Sequence, residues 1–395
     1  MKKSISLIKN NFLNFFLISF IFLVISSLYL FKLGNLLPAF GPQEHKIIYS
    51  IYGLTGFFNH IFYLPIELVR SLLFAVFTDH GYFISRLPNA LFGIICVSMF
   101  AYIIYQWHGK RTAVLTTLMF GMSAWQLHIS RIASYDIMFA FSVLSLIFID
   151  CVLRKHKTSQ KIFILSCFWL GLIATVPGMI WFVLLNVALF KDNFSIGWQN
   201  LSSVFKKIAS LSLGLFPSIL LFASIIMNGG LLKFLGAPNQ FDGLLTIAKN
   251  FLAAPVHLFI RGPQYPEIWL DQAPVLDVFV LLTFVLGLYF YITHKEAARS
   301  KMLLLMLLLS LLLVGLGGPV SLAASFVIVL LISATGITFL LKEWLTMFPI
   351  NPIARSIGIG MVVIAVSFSC AYGIRSYFVA WPNNSVTKQI FIHKK

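Results

Sequence analysis

The sequence predicts an all-α polytopic membrane protein, a helical bundle of about eleven transmembrane helices. Of its 395 residues, 59% are hydrophobic and only 10% are charged, whereas soluble domains are roughly 25% charged. Apolar runs recur along the whole chain, and most approach the roughly 20 residues that cross a bilayer as a helix. Short basic clusters separate these runs, which is typical of membrane proteins that keep their positive loops in the cytoplasm.

The predicted spans share high hydropathy and end near polar or basic residues. They are residues 11–33, 87–107, 112–129, 135–153, 162–176, 179–190, 208–228, 273–293, 302–316, 320–341 and 356–376. The fifth and sixth spans are short and meet at Val176-Pro177-Gly178-Met179, so we interpret them as a shallow hairpin.

The basic clusters predict the orientation of the chain. Clusters at residues 2–9, 110–111, 154–157, 206–207, 295–301 and 342–355 all fall on the side of the N-terminus. The positive-inside bias therefore predicts a plasma (cytoplasmic) membrane protein with its N-terminus inside and its C-terminus outside. The net charge of +17 is explained by this topology, and no contiguous basic face predicts a nucleic-acid partner.

Three sizeable segments are predicted on the outer side: residues 34–86, 229–272 and the tail 377–395. The first outer loop contains two amphipathic stretches, residues 44–57 and 66–77, which favour helices lying in the membrane interface. The second contains a third such stretch at residues 241–260. With no soluble domain or internal repeat in the pattern, residues 1–395 are predicted to form a single membrane-embedded domain.

Charged residues at the outer ends of the first four spans are the candidates for chemistry. They are Glu44, Arg86, Arg131 and Asp136, and we expect Glu44, Arg131 and Asp136 to converge in one outer pocket. A carboxylate at this depth is costly and therefore a functional candidate. Arginines hold phosphate by charge-assisted bonds, and a carboxylate can remove a proton from an acceptor hydroxyl.

Structural roles are the alternatives for the same residues. Arg131 and Asp136 could pair to close a short turn, and Arg86 could anchor its helix in the interface. Glu44 could be a solvated residue at a helix N-terminus, favoured by the helix dipole. His128 is of a residue type that packs in a core more often than it binds a ligand.

Three stretches near these residues resemble motifs of the GT-C membrane glycosyltransferases. They are ISRLPNALFG at 84–93, GKRTA at 109–113 and SAWQLHISRIASYD at 123–136. The branch resembled contains the protein O-mannosyltransferases and the aminoarabinose (lipid A) transferases. A weaker similarity covers residues 259–289, where Arg261 and Trp269 look like part of the family's second outer loop.

The resemblance implies a GT-C-like bundle with interfacial helices in the first outer loop. It also implies inverting transfer of a sugar from a polyprenyl-phosphate donor at the outer membrane face. The family has an Asp-Glu pair where this sequence has Gln43-Glu44, so Glu44 is the candidate base or acceptor-orienting group. Asp136 matches the family's second acidic residue and is the candidate second carboxylate, which would orient the acceptor or a cation.

The remaining site assignments concern donor and substrate. Arg131, Arg261 and Arg86 are the candidates for the donor phosphate. Gln43, His128, Tyr265 and Trp269 are the candidates for substrate contacts, the aromatic rings by stacking on a sugar or polyprenyl chain. We assign no metal ligands and no certain cofactor; whether a divalent cation takes part is left open, because GT-C enzymes differ in metal dependence.

The leading hypothesis is a glycosyltransferase whose partners are the lipid bilayer, a polyprenyl-phosphate sugar donor and an unidentified acceptor: protein, lipid or cell-envelope glycan. The alternative is a non-catalytic polyprenyl-glycan-binding or accessory membrane protein, because Gln43 replaces the family's aspartate. A transporter is a third class, but transporters tend to have repeated halves and broken helices near the midplane.

Overall fold

The computed structural model of the protein describes residues 19–37, 39–49, 61–77, 81–241, 243–264, 267, 269–270 and 272–391. Within these ranges the protein is helical and contains no strand. The first helices are α1 (Ser19–Leu30), α2 (Pro42–Tyr49), α3 (Leu64–Val76), α4 (Tyr82–His108), α5 (Lys110–Gly121), α6 (Ala124–Arg131), α7 (Asp136–Lys155), α8 (Gln160–Ala174), α9 (Met179–Leu189) and α10 (Lys191–Gln199). The later ones are α11 (Val204–Asn228), α12 (Leu231–Phe234), α13 (Leu244–Phe259), α14 (Val278–Thr293), α15 (Ala298–Gly315), α16 (Ala323–Met347), α17 (Pro352–Arg375), α18 (Trp381–Asn383) and α19 (Ser385–Ile390).

The helices confirm a polytopic membrane protein. Among the described residues, six helices are long and apolar enough to cross a membrane: α4, α7, α11, α15, α16 and α17, the last continuing without a break to Asn383. The α9–α10 pair, bent by 75°, counts as a seventh if it is one span. Three further predicted spans coincide with shorter apolar helices, α1, α8 and α14. Residues 11–18 of the first predicted span lie outside the described ranges.

One predicted span is not a single helix. Residues 112–129 are divided between α5 and α6, with a break at Met122 and Ser123. The Ser123 side chain accepts a hydrogen bond from the Gln126 amide and so caps the start of α6. The prediction of one continuous span was therefore wrong, because a capping serine inside an apolar run is a weak signal beside hydropathy.

The interfacial helices of the first outer loop also form. The stretch predicted at residues 44–57 is α2 over its described part, since residues 50–60 lie outside the description. The stretch at 66–77 is α3, and the stretch at 241–260 is α13. These three short helices cluster with α6 at the end of the bundle where α7 begins, which we call the site end; the end where α7 finishes is the far end.

The centre of the bundle is formed by α7 and α16. Of the apolar 18-residue stretch of each helix, 83% is buried inside the protein in α7 and 78% in α16, compared with 28% in α11 and 22% in α17. Because apolar side chains are stable in contact with lipid, α11 and α17 lie at the periphery. The helix that begins with Asp136 is thus a central one, held by neighbours on several sides.

The closest helix contact joins α14 and α16 through small residues. A methyl group on Gly336 would overlap the carbonyl oxygen of Thr283, and one on Gly287 would overlap that of Ile332. The hydroxyls of Thr283 and Ser333 hydrogen-bond across the same contact. Small residues let helix backbones approach closely inside a membrane, where dispersion contacts replace the hydrophobic effect.

We expect Gly336→Leu to destabilise the bundle by about 3 kcal/mol, because the new side chain must push α14 away from α16. The measurement is the melting temperature of the purified protein in detergent. Gly360→Leu is the matched control, since nothing lies within 4 Å of a methyl group at Gly360. Equal melting temperatures for the two variants would contradict the close contact.

Candidate functional site

A cavity of about 810 Å³ opens at the site end of the bundle. Its wall is formed by α2, α6, the start of α7, α13, residues 263–264 and the turn between α15 and α16. The polar side chains in this wall are Gln43, Asp136, Asn250, His257, Gln264 and Ser321. The cavity is large enough for a small organic ligand such as a sugar phosphate.

Asp136 is the only carboxylate among the described residues that line this cavity. As the first residue of α7, it lies where the helix dipole stabilises a negative charge. Ser321, in the turn before α16, lines the cavity with Asp136, and its hydroxyl favours the charged form of the carboxylate. No basic side chain in the described part of the chain forms an ion pair with Asp136, so the alternative of an Arg131–Asp136 pair does not form.

Glu44 is buried away from the cavity and fully engaged. Its carboxylate accepts bonds from Nε and Nη2 of Arg86 at 2.8 and 2.7 Å. It also accepts from the backbone amides of Ala133 at 2.9 Å and Gly41 at 3.1 Å. Four donors occupy the acceptor positions of a carboxylate. This geometry argues against the predicted role of Glu44 as base and favours a positioning role.

Arg86 also donates to backbone carbonyl groups in the segment that follows α1. Nη1 donates to the carbonyl of Leu33 at 3.3 Å, and Nη2 donates to the carbonyl of Ala39 at 3.1 Å. Only 2% of Arg86 is exposed. Four of the five N–H donors of this enclosed guanidinium are thus bound within the protein, which argues against the predicted contact between Arg86 and the donor phosphate.

Arg131 closes the end of α1 in the same manner. It donates to the carbonyl of Leu28, to that of Phe31 at 2.6 Å and to the hydroxyl of Tyr377 at 3.1 Å. The last carbonyls of a helix lack partners within the helix, and a buried arginine satisfies them well. Arg131 is therefore another positioning residue, and the geometry argues against the predicted phosphate contact.

Side chains of the motif at residues 84–93 thus hold the loop that precedes Asp136, directly or through Glu44. Arg86 holds Glu44, which in turn binds the amide of Ala133. Asn89 donates to the carbonyl of Ser134 at 2.7 Å. These bonds fix consecutive residues of the loop between α6 and α7 and so determine where Asp136 lies. The loop segments predicted to converge do meet, but of Glu44, Arg131 and Asp136 only Asp136 faces the cavity.

A second buried ion pair, Glu67 with Arg70 at 2.7 Å, supports the same loop. The Arg70 guanidinium lies 5.6 Å from the ring centre of Tyr135 and donates to Asn89 at 3.4 Å. Burial raises the pKa of Glu67, and the charge of Arg70 opposes that rise. Sequence reasoning missed this pair, because an i,i+3 pair on an amphipathic helix is usually a solvated one.

Gln43 lies at the cavity wall, at the start of α2. Its backbone amide donates to Oε1 of Glu267 at 2.7 Å, and the backbone amide of Glu44 donates to the same oxygen at 3.4 Å. Glu267 therefore caps α2 from the second outer loop. Burial and the nearby Glu44 charge raise the pKa of Glu267, while the two amide bonds oppose this. A side chain at Gly41 would overlap the Glu267 carboxylate.

His257 lines the cavity from α13. Its Nδ1 lies 2.9 Å from the carbonyl oxygen of Arg261, so Nδ1 carries the proton and Nε2 is left as an acceptor. The guanidinium of Arg261 is exposed and donates to Gln272 at 2.9 Å. With no ion pair within the described residues, Arg261 keeps donors for a ligand at the cavity rim. Neither His257 nor Ser321 was predicted from the sequence.

The aromatic candidates pack in the core. His128 is fully buried, with its ring centre 5.0 Å from that of Trp269 and 4.5 Å from that of Trp381. Trp269 is 2% exposed and donates to the carbonyl of Ala273 at 2.6 Å. This packing argues against the predicted substrate contacts of His128 and Trp269. Tyr265 lies outside the described residues.

Two lysines at the site end, Lys46 and Lys233, have no ion-pair partner among the described residues, and neither lines the cavity itself. The Lys233 ammonium is 4.7 Å from the ring centre of Phe62 and 5.8 Å from that of Tyr63. Tyr63 stacks at 4.1 Å on Tyr135, the neighbour of Asp136. Burial lowers the pKa of Lys233, and the charge of Lys46 lowers it further. Lys46 follows Gln43, a residue of the cavity wall, by about one turn of α2.

A signal for these lysines was present in the sequence. Both fall in segments predicted to face outward, where the positive-inside bias makes basic residues uncommon. For metal binding, no group of three or more His, Cys, Asp or Glu side chains comes together in the described part of the chain.

The fold is shared with solved membrane glycosyltransferases. ArnT from Cupriavidus metallidurans bound to undecaprenyl phosphate aligns with a TM-score of 0.55 and 12% identity, over 94% of this chain and 76% of ArnT. The Archaeoglobus fulgidus oligosaccharyltransferase tethered to an acceptor peptide aligns with a TM-score of 0.53 and 12% identity, over 92% of this chain. The same archaeal enzyme, AglB, with an inhibitory peptide and a dolichol-phosphate, aligns with a TM-score of 0.52 and 11% identity, over 89% of this chain.

The chain spans 55% of the length of the oligosaccharyltransferase. No family model matches the sequence, and no curated protein sequence matches it. These structural alignments show that the chain has the GT-C fold of polytopic membrane glycosyltransferases, which confirms the fold expected from the sequence motifs.

We expect Arg86→Met to cost about 3–5 kcal/mol of stability, because it leaves the Glu44 carboxylate buried without its cation. The measurement is thermal unfolding in detergent. The double variant Arg86→Met/Glu44→Gln should recover part of that loss, since no buried charge is then left alone. Arg261→Met is the control, because Arg261 is exposed. A melting temperature for Arg86→Met equal to that of the control would contradict a structural role for the pair.

Proposed function

We propose that this protein transfers a sugar from a polyprenyl-phosphate donor to an acceptor in the cavity bordered by Asp136. One observation carries the proposal: among the described residues, Asp136 is the single carboxylate that lines a cavity at the ends of membrane helices, and lysines without an ion-pair partner lie close to its wall. Lys46 is on α2, whose Gln43 lines the cavity. Lys233 is near Tyr63, which stacks on the neighbour of Asp136. The GT-C fold supports it, since the neighbours include ArnT bound to undecaprenyl phosphate and AglB with a dolichol-phosphate.

In this proposal, Lys46, Lys233 and Arg261 hold the donor phosphate. Lysine and arginine bind phosphate oxygens through charge-assisted bonds, and positive charge stabilises the phosphate as it leaves. Exposed apolar residues of α13 at the same end, Leu244 and Leu245 with 86% and 70% of their surface exposed, offer a surface for the polyprenyl chain. Arg131 and Arg86 serve the site by positioning the loop before Asp136.

Asp136 acts as the general base on the acceptor. The acceptor oxygen attacks the anomeric carbon, and the bond from that carbon to the phosphate oxygen breaks with its electron pair on the phosphate. The acceptor proton passes to the Asp136 carboxylate. Attack opposite to the leaving group inverts the anomeric centre. Gln43 and the Nε2 acceptor of His257 orient hydroxyl groups from the cavity wall.

The site end is proposed to face the outside of the plasma membrane. The basic clusters of the sequence support this orientation, because Arg154 and Lys155 end α7 at the far end, on the side with the other basic loops. The N-terminus then lies inside and the C-terminus outside.

A second candidate function is binding of a polyprenyl-linked glycan without turnover. Gln43 favours it, because an amide at the cavity wall stands where the family resemblance implies a carboxylate. Purified protein incubated with labelled polyprenyl-phosphate sugars and extracted acceptors separates the two functions. Label retained on the protein with none transferred would favour the binding protein.

Asp136→Asn should lower the transfer rate by about 10²–10⁴-fold, the usual contribution of a general base, with donor binding retained. Transfer is measured in reconstituted vesicles with a labelled donor. Asp192→Asn is the matched control, because Asp192 is an exposed carboxylate of α10 outside the cavity. Transfer by Asp136→Asn at the rate of the unmodified protein would remove Asp136 from the reaction.

Lys46→Gln and Lys233→Gln should each weaken donor binding about tenfold, because each removes one charge-assisted contact to phosphate. Binding of a fluorescent polyprenyl-phosphate sugar measures the dissociation constant. Lys388→Gln is the control, since Lys388 is an exposed lysine of the C-terminal helix α19. Donor affinity that is unchanged in both the Lys46 and the Lys233 variant would exclude these lysines from the phosphate site.

A further inference from the structure

A second cavity, of about 350 Å³, opens at the far end of the bundle. Its wall is formed by the last turns of α4 and α7, the first turns of α15 and the junction between α9 and α10. The lining residues that carry charge are Asp150, Arg154, Lys155 and Arg299. The mechanism proposed above uses none of them.

The two cavities are separate sites at opposite ends of the same helices. Asp136 and Asp150 both belong to α7, and their spacing of fourteen residues corresponds to about 21 Å along the helix axis. On α15, Arg299 lines the far-end cavity and Val314 lines the site-end cavity, about 22 Å apart along the helix axis. A ligand of the far-end cavity therefore meets a different membrane surface from a ligand of the site-end cavity.

The far-end cavity has unbalanced positive charge. The Asp150 carboxylate pairs with Nε of Arg154 at 2.9 Å and accepts a hydrogen bond from the side-chain amide of Asn193 at 3.0 Å. That pair neutralises Arg154 and leaves Lys155 and Arg299, neither of which forms an ion pair within the described residues. With three cationic side chains and one carboxylate, the wall carries a net charge of +2, which favours an anionic ligand.

The aromatic residues of the cavity hold the guanidinium groups in place. Arg299 lies 4.5 Å from the ring centre of Trp107, and Arg154 lies 4.6 Å from that of Phe190. Stacking on a ring restricts the side chain while leaving its N–H donors in the plane free to bind oxygen. The donors are thus arranged before any ligand arrives.

We propose that this cavity binds the phosphate of an anionic membrane-lipid headgroup. Guanidinium and ammonium groups together recognise a phosphodiester, and basic pockets between membrane helices are known to take such headgroups. Apolar side chains beside the cavity supply the second part of a lipid site: Tyr105 precedes the lining residue Gln106 and is 54% exposed, and Leu305 on α15 is 41% exposed. A free anion in solution has no apolar part that could bind this surface.

The test is a lipid titration of the purified full chain in neutral detergent, followed by thermal unfolding. Phosphatidylglycerol should raise the melting temperature, while phosphatidylcholine and inorganic phosphate at the same concentration should not. The Lys155→Gln/Arg299→Gln double variant should require about 30-fold more phosphatidylglycerol for the same shift, since each cation contributes about tenfold or less near a membrane surface.

The matched control is the double variant Lys161→Gln/Lys342→Gln. Both residues are exposed at the far end, and the double variant removes the same net charge outside the cavity. It should keep the full response to phosphatidylglycerol. The variant Arg299→Lys keeps the positive charge but loses the planar set of guanidinium donors. It should fold, and its melting temperature should rise at an intermediate concentration of phosphatidylglycerol.

Three results would overturn the proposal. An equal response to phosphatidylcholine and phosphatidylglycerol would show that charge is not recognised. Equal loss in the two double variants would assign the effect to diffuse surface charge. A shift of the same size with inorganic phosphate alone would make the cavity a small-anion site rather than a lipid site.

Discussion

The buried pair of Glu44 and Arg86 is the interaction on which the site depends. Its two side chains join four parts of the chain: the segment after α1, the start of α2, helix α4 and the loop before α7. Burying two charges is costly, and the cost is offset only because nearly every donor and acceptor is satisfied. What results is a rigid loop that presents Asp136 to a cavity while the pair itself stays out of it.

The charged residues of the site therefore fall into two groups: those that hold its structure and those that are available to bind or react with a substrate. Arg131, like Arg86, is enclosed and bound to backbone carbonyls at the end of α1. Lys46, Lys233 and Asp136 have no ion-pair partner within the described residues; Asp136 lines the cavity, and Lys46 lies on α2, which forms part of its wall. An uncompensated ionisable group at the edge of a membrane is expensive, and a charged substrate is the natural source of compensation.

Hydropathy and basic clusters were sufficient to predict the helical bundle, because each span must bury its backbone whatever its neighbours are. They were not sufficient for the break at Ser123, where a local cap ends one helix and begins another. The motif residues lie around the loop before Asp136, and the geometry argues against the catalytic and phosphate-binding roles predicted for Glu44, Arg86 and Arg131. Sequence position gives the depth of Glu44 or Arg131, whereas the direction of each side chain depends on packing between helices distant in sequence. Lys233 was missed because nothing local links it to Asp136.

The most direct test of this account is a structure of the protein with a polyprenyl-phosphate bound. The account predicts that the phosphate lies within hydrogen-bonding distance of Lys46 and Lys233, with the polyprenyl chain leaving along the membrane side of the site-end cavity and Asp136 facing the position of the sugar. A phosphate bound at Arg86 or Arg131 after disruption of the Glu44 pair, or a lipid bound outside this cavity, would contradict it.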